Sequence, residues 1–262
     1  MLKDTDAIIL CRFGESRWIQ SEIAGNLSLS CPGKFIWQAQ QTGNNVQGDP
    51  REAVFARLRA NDPRINEMKK TLGHDLEIIA DGEFRLLRRK SAKLKPIYCY
   101  YAYKAKDALE DGNPQEIGEL TIRHDFDQLM YSGFADSHGC DNVIVDDRRM
   151  TMMVLQPQPF LDRIRCALIS KNYAYEMHPV DYELFSEETF FVTPTGKYEE
   201  LFHKFPEYKY QHEGRICLIS ESFGHIFDRL PLTIWPLETG DYGISYAPVY
   251  MNLQAIIAQR PS

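Results

Sequence analysis

The chain has 262 residues, of which 44% are hydrophobic and 26% charged, and its 30 Lys and Arg against 37 Asp and Glu give a formal charge of −7. That length buries a full core without disulfides or structural metal. The acidic balance excludes broad coating of DNA, which needs a basic face. The six cysteines are scattered, with no Cys-x-x-Cys and no zinc-type His/Cys spacing. No segment has the length of a transmembrane helix, and the N-terminus lacks the pattern of a signal peptide, so a soluble, cytoplasmic protein with no membrane contact is expected.

In chain order, the apolar run from Ala7 to Phe13 predicts a buried first strand with Arg12 near its end. Glu15 to Ala24 carries Trp18, Ile19 and Ile23 at helical spacing and stops at Gly25-Asn26. Leu27-Ser28-Leu29-Ser30 alternates as a half-buried strand. Cys31 to Pro50, rich in Gly, Gln and Asn, predicts a long loop with one helical turn around Lys34 to Gln40. Asp49 then caps a short helix starting at Pro50, with Glu52 in its first turn. His74 to Ala80 and Phe84 to Lys90 form a hairpin about Asp81-Gly82-Glu83. Ile97 to Tyr103 is a strand, and the acidic stretch from Asp107 to Gly118 is the tip of an insertion.

Further on, Asp127 to Ala135 reads as a short helix and Asn142 to Val145 as a strand. Met152 to Leu155 is apolar, and Pro159 to Ile169 is a helix by its apolar spacing. Val180 to Tyr182 and Thr189 to Val192 read as strands, and Gly196 to Phe205 as a helix ending before Pro206. Arg215 to Ile219, Leu232 to Trp235 and Ile244 to Met251 complete a strand-rich C-terminal half. No repeat or linker divides the chain, so residues 1–262 are expected to form one α+β domain.

The sequence lacks a GxGxxG, a P-loop, an HExxH and a GxSxG, which removes most dinucleotide dehydrogenases, P-loop NTPases, zincins and α/β-hydrolases. The most informative stretch is Gln211-His212-Glu213-Gly214-Arg215, running into Ile216. On a strand, Gln211, Glu213 and Arg215 share one face. Two readings stand: a solvated Glu–Arg pair at a strand end, or a catalytic carboxylate with a helper amide. Arg12 either returns its strand to solvent or contacts an anion such as a diphosphate. Ser28 and Ser30 share a strand face, open to solvent or to a ribose. Arg85, Arg88, Arg89, Lys90, Lys93 and Lys95 form one dense basic run, a solvated face or a phosphate contact. Asp75, Glu77, Asp81 and Glu83 beside it are the acids available to a metal-dependent nuclease. His138 and Cys140 read as a polar turn.

The order of these pieces resembles an uncharacterised family of bacterial cytosolic proteins. The pieces are Cys11-Arg12-Phe13, Leu27-Ser28-Leu29-Ser30, Gly48-Asp49-Pro50-Arg51-Glu52 and Ile97-Tyr98-Cys99. They continue with Leu129-Met130-Tyr131, Phe134-Ala135 and His138-Gly139, then Val180-Asp181-Tyr182, Lys204, Tyr208 or Tyr210, and Gln211 to Arg215. Gly48 stands where the family pattern has Asn, Gly133-Phe134 where it has His-Tyr, and Gln211 where it has Glu.

More distantly, the layout looks like the ADP-ribosyltransferase fold. That resemblance implies a split antiparallel or mixed sheet with flanking helices, and NAD as a substrate. It implies that Glu213 stabilises the oxocarbenium-like transition state and Gln211 places the acceptor. Arg12, Ser28, Ser30, Arg215 and Tyr131 would contact NAD. The expected activity is ADP-ribosyl transfer to a macromolecular acceptor, nucleic acid or protein, or NAD hydrolysis, in a bacterial toxin or phage-defence effector. The rivals are a metal-dependent nuclease built on Asp75 to Glu83 and a non-catalytic binding module in which Glu213–Arg215 is a structural pair.

Overall fold

A computed structural model describes residues 7–42, 48–104, 120–122, 150–182, 188–190, 197–246 and 253–255. The chain is α+β, and its largest sheet has six strands, in the order β13-β8-β1-β6-β11-β9 with the ranges given below. Contacts divide it into two compact units: Met1–Leu27, Tyr100–Ala167 and Thr233–Ser262 form the first, and Ser28–Cys99 and Leu168–Leu232 the second. The expected insertion tip at Asp107 to Gly118, the helix at Asp127 to Ala135, the strand at Asn142 to Val145, and Tyr131, His138 and Cys140 lie outside the described residues.

In the first unit, β1 (Ala7–Glu15) runs antiparallel to β6 (Ile97–Lys104) on one side and β8 (Met150–Leu155) on the other. A strand flanked on both edges buries most of its length, which is why its sequence reads as a continuous apolar run. Leu10 and Cys11 are fully buried and Phe13 nearly so. β13 (Tyr242–Tyr246) pairs with the outer edge of β8. A short pair, β7 (Leu120–Ile122) and β14 (Leu253–Ala255), stands apart. Helix α1 (Ser16–Ile23) follows β1 directly and buries Ile19 while Trp18 faces out. The fourth helix among the described residues, α4 (Pro157–Ser170), opens on a proline, whose missing N–H costs nothing at the first helical position. Phe160, Ile164 and Leu168, four apart, are its buried stripe.

The second unit holds β2 (Asn26–Leu29) from Ser28 onward, then helix α2 (Pro32–Thr42). A four-stranded antiparallel sheet follows, in the order β10 (Thr189–Phe190), β3 (Val54–Arg59), β5 (Phe84–Arg89) and β4 (Leu76–Asp81). Helix α3 (Arg64–Leu72) packs Ile65, Met68 and Leu72 against Phe55, Leu58 and Leu87 of that sheet. The β4–β5 hairpin turns at Gly82-Glu83, with Gly82 at φ +59°, as the sequence predicts. β9 (Tyr175–Pro179) and β11 (Glu213–Leu218) pair antiparallel, and β12 (Leu230–Thr233) pairs with β2.

Several segments differ from the sequence expectation, among them Val180 to Tyr182, which is no strand and holds a single parallel bridge from Asp181 to His203. Cys31 to Pro50 is mostly the helix α2, which starts on Pro32 and buries Ile36 and Ala39. Of the helix expected from Gly196 to Phe205, the described residues, 197–205, hold only a 3₁₀ turn, Glu199–Phe202. Gln211 ends a second 3₁₀ turn, Pro206–Gln211, and His212 at φ +43° resets the backbone before β11 begins. Strand β9 lacks clean alternation because all of its residues stay partly or fully exposed, and sequence periodicity misses it.

Gly25 ends α1 at φ +88°, where a Cβ would land on the Ile234 carbonyl oxygen. Gly25→Ala is expected to lower stability by about 2 kcal/mol or more, through both the left-handed backbone and the clash. Urea denaturation of the purified variant checks this.

Candidate functional site

Strand β11 enters the second unit with Glu213 and Arg215 on one face, two residues apart, both buried. Glu52 and Lys204 meet them there, with exposures of 1% and 7%. A guanidinium has five N–H donors, and the acceptors around Arg215 match them. Nε donates to Glu213 Oε1 at 2.6 Å. Nη1 donates to Glu52 Oε2 at 2.9 Å and the Leu201 carbonyl at 2.6 Å. Nη2 donates to Glu52 Oε1 at 2.8 Å and Glu213 Oε2 at 3.2 Å. Lys204 Nζ contacts Gln211 Oε1 at 2.7 Å, Glu213 Oε2 at 2.7 Å and Glu52 Oε1 at 3.1 Å.

Backbone and neighbouring side chains fix this geometry. The Glu213 N–H donates to the Tyr182 hydroxyl at 2.9 Å, and the Cys99 thiol bonds the Glu213 carboxylate. Glu52 sits in a tight turn: its N–H donates to the Asp49 carbonyl, and Ala53 follows at φ +60°. Arg88 reaches over from β5 and donates to the Pro50 and Glu52 carbonyls while its Nε holds Glu77. Glu52 therefore lies in a turn that leads directly into β3, and the expected short helix at Pro50 is replaced by that turn. Asp49 does act like a cap in one respect, since its Oδ1 accepts the Arg51 N–H at 2.8 Å.

The charges of Glu52, Glu213, Lys204 and Arg215 cancel, two against two. Burial acts to raise the Glu213 carboxyl, but the charges of Arg215 and Lys204 overcome it and hold the group well below the usual carboxylate range. Burial acts to lower Lys204, and Glu213 and Glu52 hold it well above its ordinary value. Asp49 is the odd acid. It is 1% exposed, its Oδ2 has no hydrogen-bond partner, and burial followed by the charge of Glu52 pushes its carboxyl up to about 6. Arg51, its nearest cation by sequence, is turned toward Glu207 and lies 4.0 Å over the Phe205 ring.

The predicted site residues fall as follows. Gln211, Glu213 and Arg215 are together, although Gln211 arrives through the 3₁₀ turn and Lys204. Ser30 is buried and bridges to Ile97, with its hydroxyl unpartnered, while Ser28 is exposed. Arg12 belongs to the first unit, where Nε and Nη2 grip Glu22 at 3.1 and 2.6 Å. Much of the basic run is internal: Arg88 binds as above, Arg89 pairs with the buried Glu200, and Lys95 donates to the Ile219 and Glu221 carbonyls. The acids of the nuclease alternative have partners of their own: Asp75 with Ser91, Glu77 with Arg88 and Lys93, Asp81 with Arg57, and Glu83 with Arg59. Among the described residues no three His, Cys, Asp or Glu side chains group as metal ligands.

Sequence reasoning about strand faces missed Lys204, Cys99 and Tyr182 as partners of Glu213, and Glu52 as the second carboxylate on Arg215. The signal was present as motif order. Gly48 to Glu52, Ile97 to Cys99, Val180 to Tyr182, Lys204 and Gln211 to Arg215, quoted above as collinear fragments, all supply a side chain to this one cluster. Compared with protein families, with curated proteins and with solved structures, the chain matches none.

Arg215→Met strips both carboxylates of their main counter-charge and is expected to cost about 3–5 kcal/mol, as breaking a buried pair does; chemical denaturation measures it. Asp49 carries the opposite sign in pH. Its folded value of about 6 lies above its ordinary value of 3.8, so its contribution is most favourable below that lower value and is lost as pH rises through about 6. Asp49→Asn is expected to remove that decline between about pH 4 and 6 in stability profiles taken by urea titration.

Proposed function

We propose that the chain is an NAD-dependent ADP-ribosyltransferase or NAD glycohydrolase with an ADP-ribosyltransferase-like sheet, and that its site is the Asp49–Glu52–Glu213 region of the second unit. One observation carries the reading: five ionisable side chains are buried together on tightly held backbone, and one of them has a carboxyl oxygen without a partner. Buried ion pairs add little net stability over apolar packing. A cluster that pushes two carboxyls in opposite directions is the arrangement that acid–base chemistry uses.

Cleavage of the nicotinamide–ribose bond develops positive charge on the sugar, and a preorganised carboxylate stabilises that charge more than the ground state. In this reading Asp49 Oδ2 meets the substrate. Glu213 is a positioning residue, because both its oxygens are engaged by Arg215 and Lys204. Gln211, held by Lys204, places the acceptor. A cytoplasmic setting, where NAD is present, goes with this reading. The saturation of Glu213 and Arg215 also favours a second reading, a non-catalytic binding module in which the cluster is structural.

Nicotinamide release from NAD by the purified protein, with and without RNA, DNA and cell lysate, separates the two. The expected result is release by the wild type, a loss of about 100-fold or more in Asp49→Asn, and a loss in Glu213→Gln accompanied by a lower melting temperature. No release under any condition, with no NAD-induced thermal shift, would leave the binding module.

A further inference from the structure

The second unit carries three aromatic rings in contact at its surface. Trp37 on α2 meets Phe227 edge to face with centroids 5.0 Å apart, and His225 tilts against Phe227 at 5.2 Å. Trp37 and Phe227 are 40% and 46% exposed, and His225 is exposed as well. Single exposed aromatics are ordinary, but contiguous ones mark a contact surface.

Two cations flank the rings. Lys34 lies three residues before Trp37 and so shares its face of α2. Arg229 lies two residues beyond Phe227. Burial and then the charge of Arg229 lower Lys34 from its ordinary value, which places the two cations near one another. Among the described residues no carboxylate acts on either. The neighbouring Asp228 is turned back, its Oδ2 accepting the His225 N–H at 2.8 Å. The first turn of α2 has no acidic residue. Two like charges on which no carboxylate acts among the described residues, beside exposed rings, fit an anion that brings its own flat apolar faces.

We propose that this strip binds single-stranded nucleic acid, with bases stacked on Trp37, Phe227 and His225 and backbone phosphates held by Lys34 and Arg229. Stacking platforms edged by cations bind unpaired strands with little sequence preference, because every base has a π-face. A duplex hides those faces. A free mononucleotide site is a concave pocket that encloses its ligand, whereas these rings stand open to solvent. The formal charge of −7 opposes non-specific coating elsewhere on the surface. Nothing in this inference depends on NAD chemistry at the Glu213 cluster.

The test is fluorescence anisotropy of a labelled single strand of about 12 nucleotides, a length within known site sizes, titrated with the full-length protein at several salt concentrations. Wild type is expected to bind. Trp37→Ala and Phe227→Ala should each weaken binding roughly 5- to 100-fold at unchanged melting temperature. Lys34→Ala with Arg229→Ala should flatten the log–log salt slope by about 1.4, the value for two phosphate contacts on a single strand. Three results would overturn the proposal: no binding by wild type, binding unaltered in these variants, or displacement by AMP or a poly-glutamate peptide as effective as by unlabelled strand.

Discussion

Five hydrogen bonds from one buried guanidinium organise the second unit. Arg215 is fully buried, and a cation in that position is tolerable only if every donor is met and its charge balanced. The requirement reaches outward in steps. Glu52 must be held in its turn, so Ala53 adopts a left-handed backbone and Arg88 clamps two carbonyls of the same turn. Lys204 must be delivered beside Glu213, so the chain between Leu201 and Gln211 is wound in short 3₁₀ turns rather than a continuous helix. The apolar packing of Ala53, Leu201, Phe202 and Cys217 beneath the cluster then keeps water from replacing these partners.

Charge balance also explains why Asp49 is distinct. With two acids already matched by two bases, a third buried acid has only the distant Arg51 guanidinium, 4.0 Å from its Oδ1, and a share of Lys204, and burial with the charge of Glu52 outweighs them. Arg51 is committed to Glu207 and the Phe205 ring. The protein thus concentrates its electrostatic strain on one carboxyl oxygen while the rest of the cluster stays rigid. Stability alone gives no reason for that arrangement, since apolar residues of similar volume would serve as well.

How much of this was legible in the sequence depends on the range of the interaction. β1, α1 and the β4–β5 hairpin show local periodicity or turn chemistry, and their outlines were readable to within a few residues. The sharing of one face by Glu213 and Arg215 follows from strand alternation and was readable too. Their burial was not, because it comes from Glu52, 163 residues away. Asp49 and Glu52 resemble a helix start, and the Asp49–Arg51 hydrogen bond keeps that local logic even though the chain turns into a strand. Gln211 looked like a strand residue because nothing local announces the left-handed His212. The helix α2 was hidden by the Gly, Gln and Asn that follow it, and with it went the placement of Trp37 beside Phe227.

The second unit is assembled from two stretches of chain separated by the whole of 100–167. At roughly 5–20 residues per second of synthesis, Glu52 leaves the ribosome about 8–30 s before Arg215. For that interval β3, β4 and β5 can pair, but the turn that carries Glu52 has an acid waiting for its base, and the site around Asp49 does not yet exist. Completion of this unit is therefore a late event in the life of the nascent chain, and a product truncated before Lys204 would hold the scaffold of the cluster without either of its cations.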